Sequence, residues 1–147
     1  MHVDCSQIEA NYSADEIKMM RETLDRLTED AKNSPRLRMS LDLRTNPQDQ
    51  SQRILNALEP GTVLPIHRHR TTAETVIIIR GSLREDFYND RGEIVESYVL
   101  EVGGDTPVLQ IPAGQWHSVE CLESGTIIFE AKDGPYAPLT EEDVLRL

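Results

Sequence analysis

Apolar residues recur along this chain first at helical and then at extended spacing. Ile17, Met20, Leu24, Leu27 and Ala31 stand three or four residues apart, which places one apolar stripe on a helix. Ser13-Ala14-Asp15-Glu16 has the form of a capping box, Ser at the cap and Glu three residues on, and Asn33-Ser34-Pro35 is a stop. The spacing predicts a helix from Ser13 to about Lys32, packed on the rest of the domain and preceded by a frayed start. From Arg36 the period drops to two. Leu37, Met39, Leu41 and Leu43 alternate with Arg38, Ser40, Asp42 and Arg44, the signature of a half-buried strand.

Further strand-like runs follow at Gln52 to Leu58, Thr62 to Ile66, Glu74 to Arg80, Ser82 to Asn89, Glu93 to Leu100, Pro107 to Ile111, Trp116 to Leu122 and Thr126 to Lys132. Pro60-Gly61, Gly103-Gly104, Ala113-Gly114 and Ser124-Gly125 punctuate them. Asn89-Asp90-Arg91-Gly92 suits a hairpin turn closed by a left-handed glycine. Residues 44 to 53 look like a solvated loop, and Thr140-Glu-Glu-Asp before Val144 and Leu145 predicts a short last helix. Many short strands at intervals of about ten residues indicate a mainly β fold, an antiparallel sandwich or small barrel. The expected organisation is a tail and helix over residues 1–33, a β-barrel over 34–139 and a short helix over 140–147.

At 147 residues the chain is the size of one domain. Its mean hydropathy of −0.46 is low, but apolar runs such as Val76 to Ile79 argue against disorder. A net charge of −11 repels phosphate backbones and anionic lipid, so neither nucleic acid nor a membrane surface is expected as a partner. No apolar stretch reaches the ~18 residues of a membrane helix, and the opening residues lack the basic start of a secretion signal. A cytoplasmic protein is expected, with Cys5 and Cys121 as free thiols.

Three of the histidines fall among the strands. Side chains two apart on an extended chain share a face, so His67 and His69 can present two imidazoles to one point. Glu74 opens the next strand after a short polar loop, and His117 starts another after Pro112-Ala113-Gly114-Gln115-Trp116. Three imidazoles and a carboxylate suit one divalent transition metal, whether Zn, Fe, Mn, Ni or Cu, with coordination positions left for water or substrate.

Gly61-x5-His67-x-His69-x4-Glu74-x6-Gly81 fits the first cupin motif at every fixed position, and Pro112-x-Gly114-x2-His117 matches the centre of the second. Thr106 and Cys121 stand where the second motif has Gly and Asn. Ser34-Pro35-Arg36, Asn56 through Gly61, Phe87 with its following turn, and Glu130-x-Lys132-x-Gly134-Pro135-Tyr136 extend the similarity. Over about residues 34 to 138 the chain resembles the WbuC-type cupin metalloproteins, small single-cupin proteins often encoded among polysaccharide genes. The resemblance implies a single-domain cupin, a double-stranded β-helix or jelly-roll barrel, preceded by an α-helix. It also implies His67, His69, Glu74 and His117 as metal ligands, and pairing into a homodimer.

Other candidates come from strand parity and charge. Glu85 shares a face with Leu83 and Phe87, which makes it an inward acid and a candidate catalytic base. Asn56 and Arg38 are candidate substrate-binding residues, Asn56 just before the metal segment and Arg38 as a cation in an acidic chain. Cys121 shares a strand face with His117, whereas Trp116 points the other way. The functional expectation is a metal-binding cupin that acts on or binds a small oxygen-rich molecule such as a sugar or sugar nucleotide, in an isomerase- or epimerase-like reaction. The alternatives are a metal-dependent dioxygenase, a non-catalytic ligand-binding module, and a metal held only for stability.

Overall fold

A computed structural model describes residues 20–147. The expected helix start at Ser13 and the residues Ile17, Cys5 and His2 lie outside the described residues. Helix α1 spans Arg21–Asn33, preceded by Met20 in an extended conformation and ended by extended Ser34 and by Pro35. Leu27 and Ala31 are fully buried and Leu24 partly so, as the stripe requires, but Met20 is exposed because the helix begins after it.

Ten strands follow: β1 (Arg38–Asp42), β2 (Ser51–Leu58), β3 (Ile66–His67), β4 (Glu74–Arg80), β5 (Ser82–Tyr88), β6 (Ile94–Glu101), β7 (Val108–Ile111), β8 (Trp116–Cys121), β9 (Thr126–Asp133) and β10 (Val144–Leu145). They form two five-stranded sheets with orders β1-β2-β9-β4-β7 and β10-β3-β8-β5-β6, every pairing antiparallel. Of the run from Thr62 to Ile66 only Ile66 is strand. The helix expected after Thr140 is a single 3-10 turn, Glu141–Asp143, and then β10, which pairs with β3. Val144 and Leu145 satisfy the open edge of β3 in place of continuing a helix.

Between the sheets lies the main core. Leu58, Val76, Ile78 and Ile128 from one sheet face Leu83, Phe87, Leu100 and Val119 from the other. The first sheet is also covered outside, where Leu27 and Ala31 of α1 pack on Leu41, Leu55, Ala57 and Ile127. This double cover sets the two faces of β1. Its apolar residues Met39 and Leu41 face the helix, and the alternate set Arg38, Ser40 and Asp42 pairs with Leu58, Asn56 and Ile54 on the inner face. Arg38, Ser40 and Asp42 are half-buried there, so β1 is the half-buried strand its alternation predicts.

Two positions depend on glycine. Gly81 joins β4 to β5 with φ +73, and a Cβ there would stand 2.3 Å from Thr126 Oγ1 and 2.8 Å from its Cα. Gly114 has φ +82 in the turn before β8, a conformation that costs other residues about 1–2 kcal/mol. Leu27→Ala is expected to lower stability by about 2–5 kcal/mol through the cavity left under the helix. Thermal or urea unfolding measures it, and the metal-binding behaviour should stay unchanged because this contact lies outside the barrel.

Candidate metal centre

Both sheets contribute to one buried polar cluster. His67 ends β3 directly opposite His117 of β8, and His69 follows two residues later. The three rings gather with centroids 4.3 Å apart for His67 and His117, 5.3 Å for His67 and His69, and 5.9 Å for His69 and His117. A nitrogen from each lies within 4.8 Å of the others. Glu74 comes from the facing sheet, at the start of β4, and its Oε2 stands 3.6 Å from His69 Nε2 and 3.7 Å from His117 Nε2. The structure thus brings together all four residues that the sequence pattern singled out.

The donor set fits a metal ion by a test of its own. Glu74 Oε2 and His117 Nε2 are buried without a hydrogen-bond partner among the described residues, a costly arrangement unless something else satisfies them. Two of the outer nitrogens are already engaged. His67 Nδ1–H donates to the Pro65 carbonyl at 2.9 Å, and the same tautomer puts His117 Nδ1–H on Glu85 Oε1 at 3.2 Å. Each bond turns the lone pair of the other nitrogen inward, the usual way a ligating imidazole is oriented. Protonation agrees: burial holds His69 down to about 3 and His117 to about 4, and burial with the neighbouring His117 keeps His67 well below its ordinary value. Burial pushes Glu74 up, but the charge of Lys132, a hydrogen bond with Glu130 and the nearby His117 together hold it well below the usual carboxylate range. Neutral imidazoles beside an ionised carboxylate are the state a divalent cation requires.

Around this cluster the interior is unusually polar. Gln52, Lys132, Glu74 and Ile111 form a row across β2, β9, β4 and β7, and Ile54, Glu130, Val76 and Leu109 form the next. Glu130 Oε1 accepts from Asn56 Nδ2 at 3.1 Å, and Ser40 Oγ donates to Asn56 Oδ1. Burial and the Glu74 charge push Glu130 well above the ordinary range, and do the same to Glu85. Glu130 and Lys132 lie outside both histidine motifs. Their signal was parity, two ionisable residues in phase with buried Thr126 and Ile128 along β9.

Three other candidates fall elsewhere. Glu85 points inward but stands behind His117, on its Nδ1, so it positions the ring. Asn56 is buried on Glu130 and Ser40. Arg38 pairs with Leu58, six residues along β2 from Gln52 and so about 20 Å from the mouth, where it donates to Thr62 Oγ1 and the Val63 carbonyl. The structure does not bring it to the histidines. Cys121 pairs with Leu83 in the apolar core, donates to the Leu58 and Glu123 carbonyls, and is pushed up by burial, which makes it an inert thiol.

The ligand-bearing loops are tied down. Gly114 N–H donates to the His69 carbonyl at 2.7 Å, joining the two histidine segments. Arg68 N–H donates to the Asp143 carbonyl, Arg70 pairs with Asp143 at 2.7 Å and Glu142 at 2.9 Å, and the Arg68 guanidinium lies 4.3 Å over the Trp116 ring. Beside this strap a cavity of about 470 Å³ opens, lined by His69, Gln52, Lys132, Arg68 and Arg70 among others.

Comparison with known proteins places the chain. A family profile described as a domain of unknown function, DUF6016, matches residues 19–100. The chain belongs to that family. No curated protein matches the sequence. Among solved structures, KdgF from Halomonas sp. is similar with a TM-score of 0.55 at 14% identity, over 70% of this chain and 84% of that one. CapF from Staphylococcus aureus, a capsular polysaccharide assembling protein, gives 0.55 at 22% identity over 71% of this chain and 30% of its own. The Cnp3 cupin domain of Schizosaccharomyces pombe gives 0.53 at 10% identity over 66% of this chain and 64% of its own. The chain spans less than a third of CapF. At these identities the likeness is one of fold, and the fold of this family member is the cupin barrel.

Glu85→Ala is expected to weaken metal binding roughly 10–100-fold without removing a ligand, measured by competition with a chelator. Because the folded imidazoles titrate far below the ordinary 6.5, protons compete with metal only weakly. Affinity should fall by less than about tenfold from pH 7.5 to 5.5, a comparison that isothermal titration at both pH values makes directly.

Proposed function

We propose that this protein is a metal-dependent cupin of the WbuC type, with one divalent first-row metal held by His67, His69, Glu74 and His117. It binds or acts on a small oxygen-rich molecule such as a sugar or sugar nucleotide. The observation that carries this reading is the gathering of the His67, His69 and His117 ligand atoms within 4.8 Å of one another, with Glu74 Oε2 of the facing sheet 3.6 Å from His69 Nε2 and 3.7 Å from His117 Nε2. Two fold relatives support it: CapF assembles capsular polysaccharide, and the oxalate decarboxylase of Bacillus subtilis, with a TM-score of 0.53, has Mn(II) centres.

A metal held by His67, His69, Glu74 and His117 would supply Lewis acidity toward a substrate carbonyl or hydroxyl. The chain's own residues do the rest. Glu85 and the Pro65 carbonyl hold two of the rings in one tautomer. The contacts of Asp143 with Arg68 and Arg70 tie down the segment that carries His69. An epimerisation or isomerisation at a carbon next to a carbonyl is a reaction class that Lewis acidity of this kind would serve.

Elemental analysis should find near one metal per wild-type chain, and His67→Ala and His117→Ala, purified folded, should each lose most of it, while Glu74→Ala should hold it more weakly. Retention of wild-type stoichiometry in both histidine variants would falsify the proposal. Anaerobic iron loading followed by an oxygen electrode separates the reaction classes: substrate-dependent oxygen uptake would replace isomerase chemistry with oxygenase chemistry.

A further inference from the structure

The cavity beside the metal cluster has two kinds of lining. Pro135, Ala137, Pro138 and Leu139 are apolar and come from one irregular stretch, whereas Gln52, Thr71 and Thr72 offer neutral polar groups. Gln52 is the decisive one. It is only 6% exposed and lies on β2 in the same inner row as Glu74, so its side chain enters the mouth. Its amide has a single workable orientation. Nε2 donates to the Gly134 carbonyl at 3.2 Å and to the Pro135 carbonyl at 3.4 Å, and because carbonyls only accept, the nitrogen must be the atom that faces them. Oε1 is then left as an acceptor. It takes a hydrogen bond from no described residue, yet it is not sealed off as Glu74 Oε2 and Glu130 Oε2 are. A buried amide that is pinned by its nitrogen and keeps an open acceptor beside a cavity is a built contact for something that enters.

We propose that Gln52 determines which ligand the cavity takes: its Oε1 accepts a hydrogen bond from a hydroxyl of an uncharged polyhydroxylated ring, whose C–H face lies on the apolar stretch 135–139. This rests on the reading of the site as one for a small oxygen-rich molecule, and narrows it to a neutral sugar recognised through a donor. The cations of the cavity do not favour an anion. Arg70 is held by Asp143 at 2.7 Å and Glu142 at 2.9 Å, Arg68 faces Asp143 and the Trp116 ring, and Lys132 is engaged as well. An anion would have to break into one of those contacts, whereas a hydroxyl meets Oε1 as it stands. The cavity volume of about 470 Å³ lies within the roughly 300–1,000 Å³ of small-molecule sites, and its two linings match the two faces of a sugar ring. Holding the Gly134 and Pro135 carbonyls also fixes the start of the apolar stretch, so one side chain sets the polar contact and the wall together.

The probes are D-glucose, D-galactose and D-mannose, each beside its uronate. Saturation-transfer NMR gives each Kd on protein whose metal content has been measured. At least one hexose should bind wild type with a Kd below about 10 mM, and at least about threefold below that of its uronate. Among the monodeoxy forms of the tightest hexose, one should lose about tenfold, the size of one hydrogen bond. Gln52→Met should make that form and its parent bind alike. A wall that merely collapses weakens both and leaves their ratio unchanged, so the ratio reports Oε1 and not the loop. Wild-type preference for the uronates overturns the inference, as does a deoxy penalty that survives in Gln52→Met; the first needs no variant to fold. Wild type that binds neither hexose nor uronate fails the sugar reading and this one together, whereas wild type that binds uronates in preference fails this one alone. Metal-free protein that still shows the Gln52-dependent penalty fails the metal reading and upholds this one.

Discussion

One carboxylate and three imidazoles share a buried point between two sheets, and the arrangement around them answers the cost of putting them there. Glu74 enters from the sheet that carries the helix, and the histidines from the other. Inward-facing lone pairs with no proton donor between them repel, so the cluster is stable only if neighbouring groups offset it. Lys132 stabilises the ionised Glu74, Glu85 and the Pro65 carbonyl occupy the outer nitrogens, and Glu130 hydrogen-bonds with Glu74. A cation at the centre completes that balance by accepting the remaining lone pairs.

Such a polar interior needs stiff walls. Below the cluster the barrel closes on Val76, Ile78, Ile128, Leu83 and Leu100, which give the rigidity that the mouth cannot supply for itself. The helix acts on the same problem from outside. It buries Leu55, Ala57 and Ile127 of β2 and β9, the strands that carry Gln52, Glu130 and Lys132 into the mouth. The loop face is secured by the 3-10 turn and β10, whose Asp143 is tied to both Arg68 and Arg70.

Much of this was legible in the chain. The period-two runs located most of the strands, because one face of each is apolar and the other is not. Parity placed His67, His117 and Glu85 inward, because a strand turns every second residue to the same side. Parity did not say which face of β1 is inner. There the apolar face meets a helix, and alternation cannot distinguish an inner from an outer surface. It also left Arg38 as a site candidate, since local charge carries no information about which end of a barrel a residue occupies.

Alone, the sequence determined the β-rich class and the spacing that lets His67, His69, Glu74 and His117 act as one set, because covalent geometry and strand period are local. Only the tertiary structure decided that Glu85 backs His117, that Asn56 serves Glu130, and that Lys132 shares the mouth with Glu74. Those facts depend on which strands pair and in what register. Register is settled by burial across the whole barrel, through contacts between residues far apart in sequence.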